Sequence, residues 1–580
     1  MSKLKHITSG TSDFSIIRKS QYLFVDKTAK LQELVALRKV FLSRPRRMGK
    51  STLVSMLQEL FTNGTENFKD KAIHDLWQED QYPVIKLSFG GIVDPDTFEV
   101  ELCERVSLAF VKAGFKAANT VEPGCTRLSS LLKKMDIIRG DQMLVVLIDE
   151  WDYPLSANLN NRVAFERCRA IMHDFYFWLR ELSGLWFLLV TGIGRYRDTT
   201  LFTGADIRDI SFEPQFADIV GYTQQELETW FAPYLDESAR RLKISRAELL
   251  VKLHSQYDGF CFDRNASVNL YCPWSINQFL EQVVGSWPDK VPEFRCYWMV
   301  ASNAYSALRT FLQRDKPDLS LLSRLHGTGV EVTEAQITTP TDFDQIKLEP
   351  LLVSLGYLSI KSVVNPLAQS PLHRTYRCSY SNQEIESELV TVFLEYVASC
   401  QGPGAVNAIN LASARLGDAL YAHDMAKAVA NLNLILHALH YDAWSNTHET
   451  VYRALIANYL RISGGAGFVQ EEKGNQLGRS DIEADIGSSH YIIELKLIAD
   501  NHNPEATKLL AHKAHQQMVE KGYGDNQNPT IERSYGLVLV IDNSTRQIAY
   551  WRRYFMAQVL DEGMVAPVTY SSTPEAQLDS

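Results

Sequence analysis

The stretch FLSRPRRMGKSTLVSMLQEL, residues 41–60, constrains the fold more than any other. KVFLS (39–43) has the length and apolar character of a buried strand. STLVSMLQELF (51–61) repeats its apolar residues at helical spacing, and Gly64 is placed to terminate it. A loop between a buried strand and a helix N-terminus collects anions, because the first N–H groups of the helix lack partners and its dipole points the same way. Gly49 permits a close backbone approach, Lys50 brings charge to a phosphate, and Ser51 or Thr52 offers a hydroxyl to a metal ion. The pattern G-x-x-x-x-G-K-[ST] expects glycine where Arg44 stands. A basic turn capped by Ser51 is the other reading of this loop taken alone. Arg44, Arg46 and Arg47 are expected to add positive charge near the phosphates or to meet a neighbouring subunit, with Arg47 among the nucleotide-binding residues.

Two further strand ends favour the phosphate reading. MLVVLIDEWDYP (143–154) ends a buried strand in Asp149 and Glu150. In a nucleotide site Asp149 would hold the metal and Glu150 would polarise the attacking water. LLVTGIGRYRD (188–198) places Thr191 where a polar sensor of the terminal phosphate would stand, with Arg195 and Arg197 in reach as an arginine finger. A solvated basic turn accounts for the two arginines equally well.

A chain of 580 residues exceeds one hydrophobic core, so several domains are expected. Residues 1–223 alternate strand-like and helix-like segments, as in an α/β domain with a parallel sheet covered on both faces. Residues 224–435 are mostly helical, and 346–380 reads as a small α+β, winged-helix-like piece. Residues 436–560 run helix, three strands, helix, two strands, and form an α+β domain. Residues 561–580 read as a loose tail. A net charge of −10 excludes a global basic field, so a nucleic-acid site must be a local patch. The eight scattered cysteines form no C-x-x-C pair and fit a reducing compartment. LWFLLV and MLVVLI are too short to span a bilayer, and the N-terminus has no signal-peptide core, so a cytoplasmic protein is expected.

GRSDIEADIGSSHYIIELKLIAD (478–500) carries a second constellation. Strand alternation puts Asp481, Glu483 and Asp485 on one face, and Glu494 and Lys496 share a face of the next strand. A hairpin turning at Gly487-Ser488-Ser489 would bring Asp481 beside Glu494 and Lys496. Two carboxylates bind a hard cation such as Mg²⁺ through oxygen, the cation activates water, and a lysine steadies the charge at a scissile phosphate. Glu449, Glu472 and Gln517 are candidate supporting residues. An amphipathic hairpin with a solvated charged face is the plain alternative. His512 and His515 read as part of a solvated helix face rather than a metal pair.

YLFVDKTAKLQELV, RPRRMGKST, VVLIDEWDYPL, VTGIGRYRDTTLFTGADIRDIS, QYDGFCF, YCPWSINQFL, LVSLGYLSIK, HETVY, GRSDI and IIELK together resemble bacterial AAA-ATPase-like proteins with a C-terminal PD-(D/E)XK nuclease-like domain. Ser381-Asn382 stands where that family usually has Pro-Asn. The resemblance implies a P-loop NTPase domain, a helical lid and middle region, and a restriction-endonuclease-like α+β domain. It implies phosphate binding by Gly49, Lys50 and Ser51, and a Walker B role for Asp149 and Glu150. It also implies metal binding by Asp481 and Glu494, with Lys496 as the catalytic lysine. ATP and Mg²⁺, with Mn²⁺ as a substitute, are the implied cofactors. Nucleic acid, DNA before RNA, is the implied partner, a second copy of the chain a further candidate, and a membrane not one. By analogy the protein is a regulated ATPase–nuclease switch in phage defence or mobile-element control. The alternative is a signalling or scaffold ATPase whose nuclease-like domain binds a partner without cutting.

Overall fold

The computed structural model describes residues 4–7, 10–120, 127–197, 199, 201, 207–284, 291–300, 304–315, 320–368, 370–399, 403–437, 449–463, 466–474, 479–498, 504–521, 531–555 and 558–565. Two units divide the chain. The first comprises Met1–Lys316 and Gly329–Glu386, the second Pro317–Thr328 and Ser387–Ser580.

The first unit is built on five parallel strands: β1 (Lys39–Ser43), β2 (Val84–Ser88), β3 (Leu144–Asp149), β4 (Leu185–Gly192) and the short β5 (Arg208–Asp209). Their order is β2-β3-β4-β1-β5. Parallel neighbours need crossover connections, and helices supply them. α1 (Lys50–Asn63) follows β1, α2 (Phe98–Lys112) and α3 (Leu128–Arg139) follow β2, and α4 (Arg162–Glu181) follows β3. Every residue of β3 is buried, as the uninterrupted apolar run requires of a strand covered on both faces. From β1 the chain runs out to the β2 edge, returns through β3 to β4 beside β1, then emerges at β5 on the other side. The strand order therefore reverses between β1 and β4, where ligands of open α/β sheets bind at the strand C-termini.

The helices Gln224–Trp230, Ala232–Leu242, Arg246–Tyr257 and α5 (Pro273–Glu281) bury Leu227, Phe231, Leu235, Leu253, Tyr257 and Phe279 in a second core of this unit. Thr223/Glu226 and Ser245/Glu248 start two of these helices with reciprocal capping boxes. The piece expected at 346–380 is larger than its sequence suggests. Strands β6 (Val330–Thr333), β7 (Leu358–Val363) and β8 (Thr375–Tyr380) make an antiparallel sheet in the order β6-β8-β7, beside the helix Leu348–Leu355.

The second unit holds α6 (Ser320–His326), α7 (Glu449–Ile462), α8 (Pro504–Glu520) and a six-stranded mixed sheet. Its strands are β9 (Ala466–Gly474), β10 (Arg479–Ile486), β11 (Ser489–Ile498), β12 (Arg533–Asp542), β13 (Gln547–Phe555) and β14 (Gln558–Met564), side by side in reverse chain order. Only β11 and β12 run parallel, joined through α8, whose Ala511, Ala514 and Met518 pack on Ile492, Val538 and Val540. α7 packs along β9, and α6 packs on α7 with Leu321, Leu322 and Leu325 buried.

Two expectations need correction here. Residues 561–564, read as the start of a loose tail, belong to β14, because Arg553 and Asp561 pair across the β13/β14 ladder. His515 is not on a solvated face: it is buried, stacked flat on the Tyr554 ring at 3.5 Å, while His512 is exposed. Among the described residues no helix is long and apolar enough to cross a membrane.

Candidate active sites

The first site sits at the reversal between β1 and β4. Register sets Leu42 beside Thr191 and Ser88 beside Asp149, so the C-terminal ends of three strands deliver their polar residues together. Asp149 is buried and accepts from all sides: from Thr191 Oγ1 at 2.6 Å, Ser51 Oγ at 2.6 Å and the Glu150 amide at 3.0 Å. The structure thus gives Thr191 a position on Asp149, fully buried between β1 and β3.

Gly49 is the residue before α1 and has φ +104°, a left-handed conformation that favours glycine, and no side chain caps the helix. The amides of Lys50 and Ser51 therefore open the helix without a capping partner. The loop carbonyls, which would repel an anion, are each engaged by a donor. Lys50 Nζ donates to the Arg44 and Pro45 carbonyls, both at 2.8 Å. Trp298 Nε1 donates to the Arg46 carbonyl at 3.3 Å, Cys272 Sγ to that of Arg47 at 3.6 Å, and the Gly221 amide to that of Met48 at 2.9 Å. Burial pushes the Lys50 ammonium down to about 8, with Asp149 opposing the shift. Thr52 follows in the first turn, half-buried.

The arginines divide. Arg44 is completely buried, and its guanidinium donates to the carbonyls of Ser43 (2.9 Å), Ser211 (2.6 Å), Phe216 (3.0 Å) and Ala217 (3.4 Å), over the Phe262 ring. It pins the loop to the segment after β5, instead of adding charge near a phosphate or meeting a neighbouring subunit. Arg47 has φ +66° and lies over the Trp274 ring at 4.2 Å. Arg46 approaches Glu150, Nη1 to Oε1 at 3.7 Å. Arg195, expected as a finger on the terminal phosphate, is committed elsewhere. It makes a two-pronged pair with Asp209 (2.8 and 3.2 Å) and donates to the Ile337 carbonyl.

Glu150 has φ +53°, and its Oε2 lies 1.7 Å from where a Cβ on Gly90 would stand, so only glycine at 90 lets the carboxylate rest there. Burial pushes this carboxyl up, Arg46 opposes and Asp149 adds to the rise. Asp152 accepts from the Ile193 and Gly194 amides at 3.0 and 2.8 Å and fixes the turn after β4. Sequence reasoning missed Gly90, Asp152 and Trp298, and expected Arg46 only as positive charge near the phosphates or at a neighbouring subunit. Asp152 left a signal as the third acid of DEWD, and Trp298 left none. The Ser51 hydroxyl paired with the Asp149 carboxylate is an all-oxygen donor set that suits Mg²⁺.

The second site lies on the β10/β11 hairpin. Ile482 pairs with Ile493, so the register sets Asp481 opposite Glu494. Asp481 Oδ2 accepts from the Leu495 amide at 2.7 Å, and Lys496 Nζ donates to Glu494 Oε1 at 2.8 Å. Arg453 of α7 reaches Asp481 at 3.8 Å. Burial raises the Glu494 and Glu449 carboxyls, and Asp481 raises both further, so three acids share one neighbourhood. Burial alone would lower the Lys496 ammonium; Glu494, Asp481 and Glu449 outweigh it and raise it. Among the described residues no group of three or more His, Cys, Asp or Glu side chains is gathered as a ready metal cage. Glu494 Oε2, however, is buried without a hydrogen-bond partner, which fits a cation held by two carboxylates and completed by water and substrate oxygens. The structure places Gln517 half-buried on α8, and the Glu472 side chain lies outside the described residues.

The charged face of this hairpin is not solvated. Glu483 and Asp485 are buried and flank the fully buried His490, at 3.1 and 2.6 Å from its two ring nitrogens, and Ser480 Oγ donates to Glu483. Burial alone would lower the imidazole; the hydrogen bonds to Glu483 and Asp485 outweigh it and raise it.

Residues 8–202 match the family model described as Predicted AAA-ATPase, and residues 447–551 match that of the PD-(D/E)XK nuclease superfamily. The chain is also similar to a protein of Azotobacter chroococcum mcd 1 described as an uncharacterized protein in the vnfD 5' region. The two are 26% identical over 554 residues, covering 94% of this chain and 98% of the relative.

Proposed function

We propose that this chain, which carries an AAA-ATPase-like domain followed by a PD-(D/E)XK nuclease superfamily domain, binds and hydrolyses ATP and hydrolyses phosphodiester bonds in nucleic acid, DNA before RNA. The observation that carries the ATPase reading is the convergence of Ser51, Thr191 and the Glu150 amide on Asp149, beside a helix start with no capping side chain. Lys50 holds two loop carbonyls at rest and reaches the phosphates on binding; Ser51 and Asp149 hold the metal; Glu150 accepts the proton of the attacking water. In the second unit Asp481 and Glu494 hold the cation and Lys496 steadies charge at the scissile phosphate. Bound Mg²⁺ or Mn²⁺ would supply Lewis acidity and an activated water. ATP binding as the control on cutting, within phage defence or mobile-element control, is the role this pairing supports by analogy.

The test is a nuclease assay on DNA and RNA with Mg²⁺ or Mn²⁺, with and without ATP, alongside ATP turnover. Lys496→Ala should abolish cutting and leave ATP affinity unchanged. Lys50→Ala should lower ATP affinity about 10-fold or more, and Glu150→Gln should keep binding and lose turnover by about 100-fold. A wild type that cuts none of these substrates would make the second unit a partner-binding module.

A further inference from the structure

Arg46 is the one arginine of the loop whose guanidinium faces the reacting end of the first site. Its backbone is anchored, because Trp298 Nε1 donates to its carbonyl. Its side chain is poorly satisfied. The contact with Glu150 is 3.7 Å, longer than a closed hydrogen bond, and Arg46 Nε is buried with no hydrogen-bond partner. Tyr153 lies under the guanidinium at 5.4 Å. Arg46, Lys50, Glu150, Asp152 and Tyr153 line one cleft at the end of the loop. A half-buried, under-bonded cation beside Lys50 is aimed at an anion that the resting site does not supply.

Glu150 is the other half of the arrangement. It is seated over Gly90, and the Arg46 guanidinium approaches its Oε1 at 3.7 Å. A carboxylate offers Arg46 one negative charge. The terminal phosphate of a triphosphate offers nearly two, with oxygens spaced for a guanidinium fork. A diphosphate lacks that terminal group.

We propose that Arg46 is a two-position sensor of the terminal phosphate: it holds Glu150 at rest and moves to the phosphate when a nucleoside triphosphate binds, so only a triphosphate frees Glu150 to take the proton of water. This rests on the ATPase reading above and adds to it the residue that distinguishes triphosphate from diphosphate. No covalent step is assigned to Arg46; the proton passes from water to Glu150.

The experiment compares wild type, Lys50→Ala, Arg46→Ala and Arg46→Lys in the full chain. It measures ATP and ADP affinity by calorimetry, then kcat and KM. Wild type should bind ATP about 10-fold more tightly than ADP. Arg46→Ala should keep its ADP affinity within about two-fold, bind ATP no better than ADP, and lose about 100-fold in kcat. Arg46→Lys should recover part of the rate and part of the preference for ATP. Equal loss of ATP and ADP affinity, or a retained preference for ATP over ADP, would overturn the proposal and leave the ATPase reading standing. Wild type that binds neither nucleotide, with Lys50→Ala indistinguishable from it, would overturn both.

Discussion

At the scale of single residues, Arg44 separates pattern from physics. A glycine at its position would restore the expected loop motif, yet the structure gives Arg44 four carbonyl acceptors and an aromatic ring in a fully buried pocket. Arg44→Gly should therefore lower stability by about 2–4 kcal/mol, since it orphans buried carbonyls and leaves a cavity. Thermal melts read this directly: the variant with the better motif should melt several degrees below wild type. The residues that touch Asp149 were legible because Thr191 and Glu150 stand at strand ends and Ser51 at a helix start, each in its own stretch of sequence. The contact of Trp298 with Arg46 was not, because it joins positions 252 apart and no local periodicity reports it.

At the scale of elements, the β10/β11 hairpin shows what strand alternation conveys and what it omits. Period two placed Asp481, Glu483 and Asp485 on one face, and the observed register agrees. Period two is silent on which faces are covered, since cover comes from helices distant in the chain. That is why a solvated charged face stood as the alternative for this hairpin, while the structure buries Glu483 and Asp485 around His490. The cluster has a pH consequence. His490 has a folded-state pKa raised above its ordinary value of 6.5, so its stabilisation is fully present below that value. It is lost as pH rises through the raised folded value. Denaturant melts of the second unit should show stability falling as pH rises above 6.5, and His490→Gln should flatten that slope. A wild-type slope of the opposite sign would show His490 to be neutral when folded.

At the scale of the whole molecule, the second unit is discontinuous in sequence: 317–328 belongs with 387–580. The sequence pattern instead began the last folded domain at 436, because the helical stretch before it carries no composition break that marks a change of unit. Leu321, Leu322 and Leu325 of α6 are buried against this unit, and full burial of a leucine is worth about 1.5–3 kcal/mol. A fragment of residues 387–580 should consequently melt at a lower temperature than the corresponding transition of the full chain, by calorimetry. Adding a peptide of residues 317–328 should raise it.

The same discontinuity sets a timetable for synthesis. On the ribosome α6 emerges first, and the helix it packs on, α7, follows only after the last strands of the first unit have been made. At ordinary elongation rates that interval is on the order of ten seconds. Through it three leucines destined for burial wait without their partner. The nascent chain is then most exposed to chaperones and to wrong pairing, and slowed elongation between His326 and Glu449 would lengthen that exposure.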